Sequence, residues 1–263
     1  MVAAVVELKV GMKFTNTDGA VWVLKAFAYR QGHGFNSRSI SGFNCSTHSV
    51  KTGPRTCFFR RSDIAELKKL GNAQTKKTWM THGAQEPCLG VKVEDMKKIQ
   101  KRVKMDYQLA LDLYDTGIAD AMYLAGLIAD DAKMTKKDLQ KWIEGASWGA
   151  VAEFTVPWVA SASPHGREIA LKWIESKDEA IASAGWQTYS SMVAIKEDAD
   201  LDLAEIKSLL QHVAKSIHQQ PNRVKYVMNS FVIAVACFVK PLHKLAVDAA
   251  NNIGKIAVDL VGS

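Results

Sequence analysis

From Ser62 onward, apolar residues return every three or four positions, and short polar breaks separate the stretches that carry them. That period places side chains on one face of an α-helix, so each stretch must bury a stripe against a neighbour. Leu109 and Leu113 form one such stripe. After the break at Gly117, Met122, Leu124, Leu127 and Ile128 form the next. Ser62-Asp63 with Glu66 has capping-box spacing, and further helix starts are expected at Thr135, Ser163, Asp200 and Pro221-Asn222. Helices of about 10 to 16 residues, joined by roughly two to five, suit antiparallel neighbours. Pro157 falls inside a helical pattern and should kink that helix, since proline offers no N–H and crowds the preceding turn.

A short echo points to stacked units. Lys141-Trp142-Ile143-Glu144 returns as Lys172-Trp173-Ile174-Glu175, each after a helix start and before another helix. Together with the alternating helices this predicts a mainly α fold, an α-α superhelix whose paired helices bury their faces against the next pair. Trp142 and Trp173 are then core anchors.

Residues 1–61 read differently, as a small all-β unit preceding residues 62–263. Ala20 to Tyr29 is rich in β-branched and aromatic residues and follows the turn signal Asn16-Thr17-Asp18-Gly19. Gly32-His33-Gly34 makes a tight tip, and Lys51-Thr52-Gly53-Pro54 a second turn. The net charge of +7 belongs entirely to this unit, which has nine Lys/Arg against two Asp/Glu; the remainder has 25 of each. A small basic barrel suits a polyanion such as RNA or DNA, while the neutral helical region can be basic only by segregating its charges.

Cys45, Cys57, Cys88 and Cys237 show neither paired metal spacing nor a disulfide framework, so reduced thiols and a cytoplasmic location are expected. No metal site, cofactor or membrane span is expected.

The text of residues 67–101, 108–144, 155–194 and 221–246 resembles the DNA alkylation repair family of HEAT-like repeat alkylpurine glycosylases, over about three quarters of the chain. The resemblance implies a concave basic groove that grips duplex DNA, with aromatic side chains and a carboxylate facing the damaged nucleotide. A purine alkylated at N3 or N7 is already a good leaving group. A carboxylate beside the sugar would stabilise the oxocarbenium ion, help typically worth about 3–4 kcal/mol. The family's Trp-Asp-x-x-Asp pattern falls on Trp148-Gly149-Ala150-Val151-Ala152-Glu153. Trp148 matches the aromatic, but Ala152 stands at the carboxylate position and Glu153 follows one place later, about 100° around an α-helix. Where catalytic relatives carry Trp and then Arg, this chain has Ala180 and Ser183, with Trp186 further on.

The resemblance thus makes Glu153, Trp148 and Trp186 the candidate catalytic residues. Lys76, Lys77, Lys97, Lys98, Lys101, Arg102, Arg223 and Lys225 are the candidate phosphate contacts. Against this stands a bland reading, in which the tryptophans are core and Glu153 is paired with Arg167 or Arg223, because buried carboxylates are seldom left alone. The rival function is a non-catalytic interaction solenoid, RNA- or ribosome-associated through the amino-terminal unit. The resemblance also implies a further segment beyond Gly262-Ser263.

LKVGMKF, VWVLKAF, RQGHG and KTGPRTCFFRRSD, within residues 8–61, resemble the amino-terminal SH3-like barrel of translation elongation factor P. That family presents a tip lysine to the ribosome. Here the tip is Arg30-Gln31-Gly32-His33-Gly34, with His33 in the lysine position. Histidine cannot carry lysine's modification and is mostly neutral near pH 7.

Overall fold

In the computed structural model, residues 64–259 are described, and every regular element among them is helical. The barrel expected over 1–61, with Arg30 and His33 at its tip, lies outside the described residues. Twelve helices follow one another: α1 (64–70), α2 (Ala73–Thr81), α3 (Val93–Val103), α4 (Tyr107–Tyr114), α5 (Ala119–Ile128), α6 (Lys136–Glu144), α7 (149–162), α8 (Gly166–Ile174), α9 (Glu179–Ile195), α10 (Leu203–Ser216), α11 (Asn222–Phe238) and α12 (His243–Ile253).

Local chemistry sets the boundaries. Asn72, Asp106, Thr135, Asp178 and Asp202 cap α2, α4, α6, α9 and α10 by accepting backbone N–H bonds. The Thr135 cap is reciprocal, with Asp138 accepting from the Thr135 N–H. Gly117 adopts φ +67°, a conformation that suits the break between α4 and α5. Two expected starts moved. Ser163 ends α7, and α8 begins at Gly166; α10 begins after Asp202, because Asp198–Asp200 form a 3-10 turn.

The helices form two layers. Tyr114 of α4 stacks on Trp142 of α6 at 4.2 Å, and its hydroxyl donates to the Trp142 carbonyl at 2.5 Å. Gln140 of α6 accepts from Trp173 Nε1 (3.0 Å) and Lys172 (3.1 Å) of α8. Arg167 of α8 in turn reaches Glu205 of α10 at 2.7 Å. These contacts join α4, α6, α8 and α10 into one layer. In the other, α5 meets the start of α7, while α9 packs extensively against both α7 and α11. The repeated Trp142 and Trp173 are 0% and 1% exposed, anchoring equivalent positions of α6 and α8.

The core falls into two clusters. One gathers Leu67, Leu113, Leu124, Trp142, Val156 and Trp173; the other gathers Trp186, Tyr189, Leu210, Val227 and Phe231. Helices α8 and α9 contribute to both, with Ala184 in the first and Ala182 in the second. Among the described residues no single helix is long and apolar enough to cross a membrane.

Candidate nucleic-acid interface

Helix α7 carries Glu153, with Trp148 just ahead of it, and the helix is irregular. Val151–Thr155 form a π-turn, in which the Val156 N–H bonds back five residues to the Val151 carbonyl. Pro157 explains the placement. It has no N–H for the carbonyl of Glu153, and its ring crowds that turn; the wider turn accommodates both. The kink expected at Pro157 is therefore a π-turn just ahead of it.

Glu153 sits inside that turn and is 5% exposed. Its carboxylate is held by the guanidinium of Arg223 from α11. Nε donates to Oε1 at 2.7 Å, and Nη2 donates to Oε2. The pair joins α7 to α11 past α9, the helix both pack against. Arg223 also lies 4.9 Å from the centre of the Tyr226 ring, and its backbone N–H donates to Glu179 Oε1 at 2.7 Å. Burial opposes the guanidinium charge, but the Glu153 carboxylate more than offsets this and moves the Arg223 pKa up. Burial raises the Tyr226 phenol as well. Of the two partners proposed for Glu153, Arg167 instead bridges Asp202 and Glu205.

The candidate tryptophans lie apart. Trp148, 8% exposed, belongs to the first core cluster, and its Nε1 donates to the His82 carbonyl at 3.0 Å. Trp186, 1% exposed, belongs to the second, 5.2 Å from Phe231 and 6.0 Å from His212 between ring centres. Around Trp148 the fold assembles further aromatics, none of them among the candidate catalytic residues. Trp79 of α2 is 4.8 Å away, Tyr123 of α5 is 6.5 Å from Trp79, and Trp158 of α7 meets Tyr123 edge-on at 5.7 Å. Trp79, Tyr123 and Trp158 are each only partly buried. Nothing in the spacing of residues 79, 123 and 158 signals this convergence, because it depends on three separate helices.

The candidate phosphate contacts divide by partner. Lys76 pairs with Glu86 at 2.6 Å, Lys98 with Asp95 at 2.7 Å, Arg102 with Glu66 at 2.6 Å, and Arg223 with Glu153. The Lys76–Glu86 hydrogen bond raises the lysine pKa and lowers that of the glutamate. Lys97 engages a neighbour. Among the described residues Lys77, Lys101 and Lys225 make no ion pair. Lys76 and Lys77 border a shallow cleft of about 500 Å³ with Ala73, Met80 and Thr81, on the helix that carries Trp79. Lys97, Lys98, Lys101 and Arg102 share α3, while Arg223 and Lys225 lie on α11. The structure thus gathers the cations by helix rather than into one cluster.

Buried carboxylates elsewhere have structural tasks. Asp120, fully buried at the start of α5, accepts the N–H groups of Leu89 and Val91, both at 2.6 Å, and so ties down the segment before α3. Burial, with the Asp120 charge nearby, pushes the Cys88 thiol up to about 11, so it is a poor nucleophile. Among the described residues no group of three or more His, Cys, Asp or Glu side chains is arranged to hold a metal ion.

Comparison with known proteins agrees with this architecture. The chain is 31% identical over 201 residues to the Listeria innocua protein Lin0241, covering 74% of this chain and 86% of that one. The Listeria monocytogenes protein Lmo0209 matches at the same identity and coverage. A solved structure described as "a new family of proteins related to the HEAT-like repeat DNA glycosylases with affinity for branched DNA structures" superposes with a TM-score of 0.73 at 38% identity, covering 76% of this chain and 85% of that one. The DNA alkylation repair enzyme model matches residues 64–255, and with the stacked helix pairs seen here the chain belongs to that family.

Proposed function

We propose that this protein binds branched DNA through its phosphate backbone and does not excise bases. The Glu153–Arg223 pair carries this reading. A carboxylate that must stabilise a cationic sugar has to present its charge to that sugar, whereas here a guanidinium already takes both oxygens in a buried site. Opening such a pair would leave an uncompensated buried charge, a cost of about 3–5 kcal/mol. That is comparable to the catalytic help a carboxylate would supply. The affinity of the structurally similar protein for branched DNA, together with Lys77, Lys101 and Lys225 lacking acidic partners among the described residues, supports binding as the retained activity.

One observation favours excision of N3- or N7-alkylated purines as a second reading. A π-turn acts as a one-residue insertion in a helix. It thereby shifts the register at the place where Glu153 comes one position after the family's carboxylate.

Two assays separate the readings. In the first, a labelled four-way junction and a linear duplex of equal length are titrated with protein at several salt concentrations. Tighter binding to the junction, weakening steeply with salt, is expected; equal affinities would overturn the proposal. In the second, alkylated duplex DNA is incubated with the protein. No release of 7-methylguanine or 3-methyladenine is expected, and release that Glu153→Gln abolishes would establish excision instead.

A further inference from the structure

From the layer opposite α5, α7, α9 and α11, we infer a second binding site for the phosphodiester backbone, one that takes an additional arm of a branched DNA. The inference rests on the DNA-binding reading above and extends it to a surface outside the residues considered so far. Between α6 and α8 lies a cleft of about 500 Å³, lined by Lys136, Lys137, Gln140, Lys141, Glu144 and Lys172. Four of its six lining side chains are cationic. The cleft is built by the repeat itself, since Lys141 and Lys172 occupy the same place in the two copies of Lys-Trp-Ile-Glu.

Its lysines are held in place to different degrees. Lys136 reaches Glu168 at 2.5 Å and Lys141 reaches Asp115 at 2.7 Å, both in exposed pairs that solvent screens. Lys172 makes no ion pair among the described residues: it donates to the Gln140 amide oxygen at 3.1 Å, the same oxygen that accepts from Trp173 Nε1, and it faces the Glu168 carboxylate one helical turn earlier only through its charge. Lys137 is exposed and makes no ion pair among the described residues. Lys137 and Lys172 therefore offer two positive charges for phosphate oxygens, while Gln140 of α6 holds Lys172 of α8 in place.

Position gives the cleft its meaning. The Lys76–Lys77 cleft lies on α2, which rests through Trp79 on Tyr123 of α5 and on Trp148 just ahead of α7. The α6–α8 cleft belongs to the other layer. A linear duplex following one layer leaves the other unoccupied, whereas a junction offers arms that diverge. Two cationic clefts on separate layers thus give a physical basis for choosing branched over linear DNA. Contacts of this kind read the backbone and its shape without reading sequence.

The test uses the full-length chain with Lys137→Ala and Lys172→Ala combined, and Lys172→Gln with Lys137→Gln as a second variant that keeps side-chain bulk. Binding to a four-way junction and to a linear duplex is followed across a salt series. For the junction, the slope of log affinity against log salt should fall in magnitude by about two, close to one per lost phosphate contact. The linear duplex should be bound as by the unaltered protein. Unchanged junction binding by both variants overturns the second site while leaving the proposed function standing. Equal losses on junction and duplex also overturn it, by placing both lysines on one shared path. Failure of the unaltered protein to prefer the junction overturns the proposed function, and this inference with it.

Discussion

Glu153 and Arg223 are seventy positions apart, and each is costly to bury without the other. Glu153→Gln should therefore destabilise the protein by about 3–5 kcal/mol in chemical denaturation, because it strands the Arg223 guanidinium. Replacing both by apolar residues of similar volume should cost far less than the sum of the single changes, a coupling that a double-mutant cycle reads directly. Asp138 gives a milder case with a pH signature. Burial works against its charge, but hydrogen bonds from the Thr135 hydroxyl and N–H and from the Tyr107 hydroxyl prevail and lower its pKa below the ordinary value of 3.8. A group depressed on folding contributes stability that is complete above its unfolded pKa and is lost as pH falls through the folded one. Asp138→Ala should cost about 1 kcal/mol at neutral pH, in the range of a lost helix cap, with the deficit shrinking below about pH 4. Thermal unfolding at a series of pH values checks both. At this scale the sequence was informative about chemistry but not about choice. It named Arg167 and Arg223 as partners for Glu153, and only the placement of α11 beside α9 decides between them.

The helices follow their capping residues and apolar stripes closely where the cap is a single strong signal, as at Thr135. They depart where polar residues cluster. Asp198, Asp200 and Asp202 all qualify as caps, and local turn geometry selects the last. The π-turn was less legible still. Pro157 announced a disturbance in α7, but no periodicity distinguishes a kink from a widened turn. That turn also creates a tight joint, since a Cβ added to Gly126 of α5 would run into Thr155 Cγ2. Gly126→Ala should destabilise by about 1–3 kcal/mol as an overpacked contact. Thr155→Ala in the same chain should recover part of the loss, because the Thr155 hydroxyl is buried without a partner. Urea denaturation of the three variants measures the recovery.

Over the whole molecule, the stacked-helix architecture was readable from two features: the three-to-four-residue period and the repeated Lys-Trp-Ile-Glu. Zero net charge in residues 62–263 also indicated that any basic surface must arise by segregation, and the clefts on α2 and between α6 and α8 are such segregated places. Substituting Lys77, Lys101 and Lys225 together by Ala should reduce the salt slope of DNA binding by about three if all three meet phosphates; fluorescence anisotropy over a salt series reports this. What no local pattern announced is the division of the core, because it is a property of how α8 and α9 are shared. Glu153 stands on a helix of the first cluster and Arg223 on a helix of the second, so the pair acts as a strut between two halves that meet along those shared helices. A strut fixes the angle of the frame it braces. The placement of the two halves is set before any ligand arrives, the ordering cost falls on folding rather than on association, and a flexible ligand must fit itself to a frame already fixed.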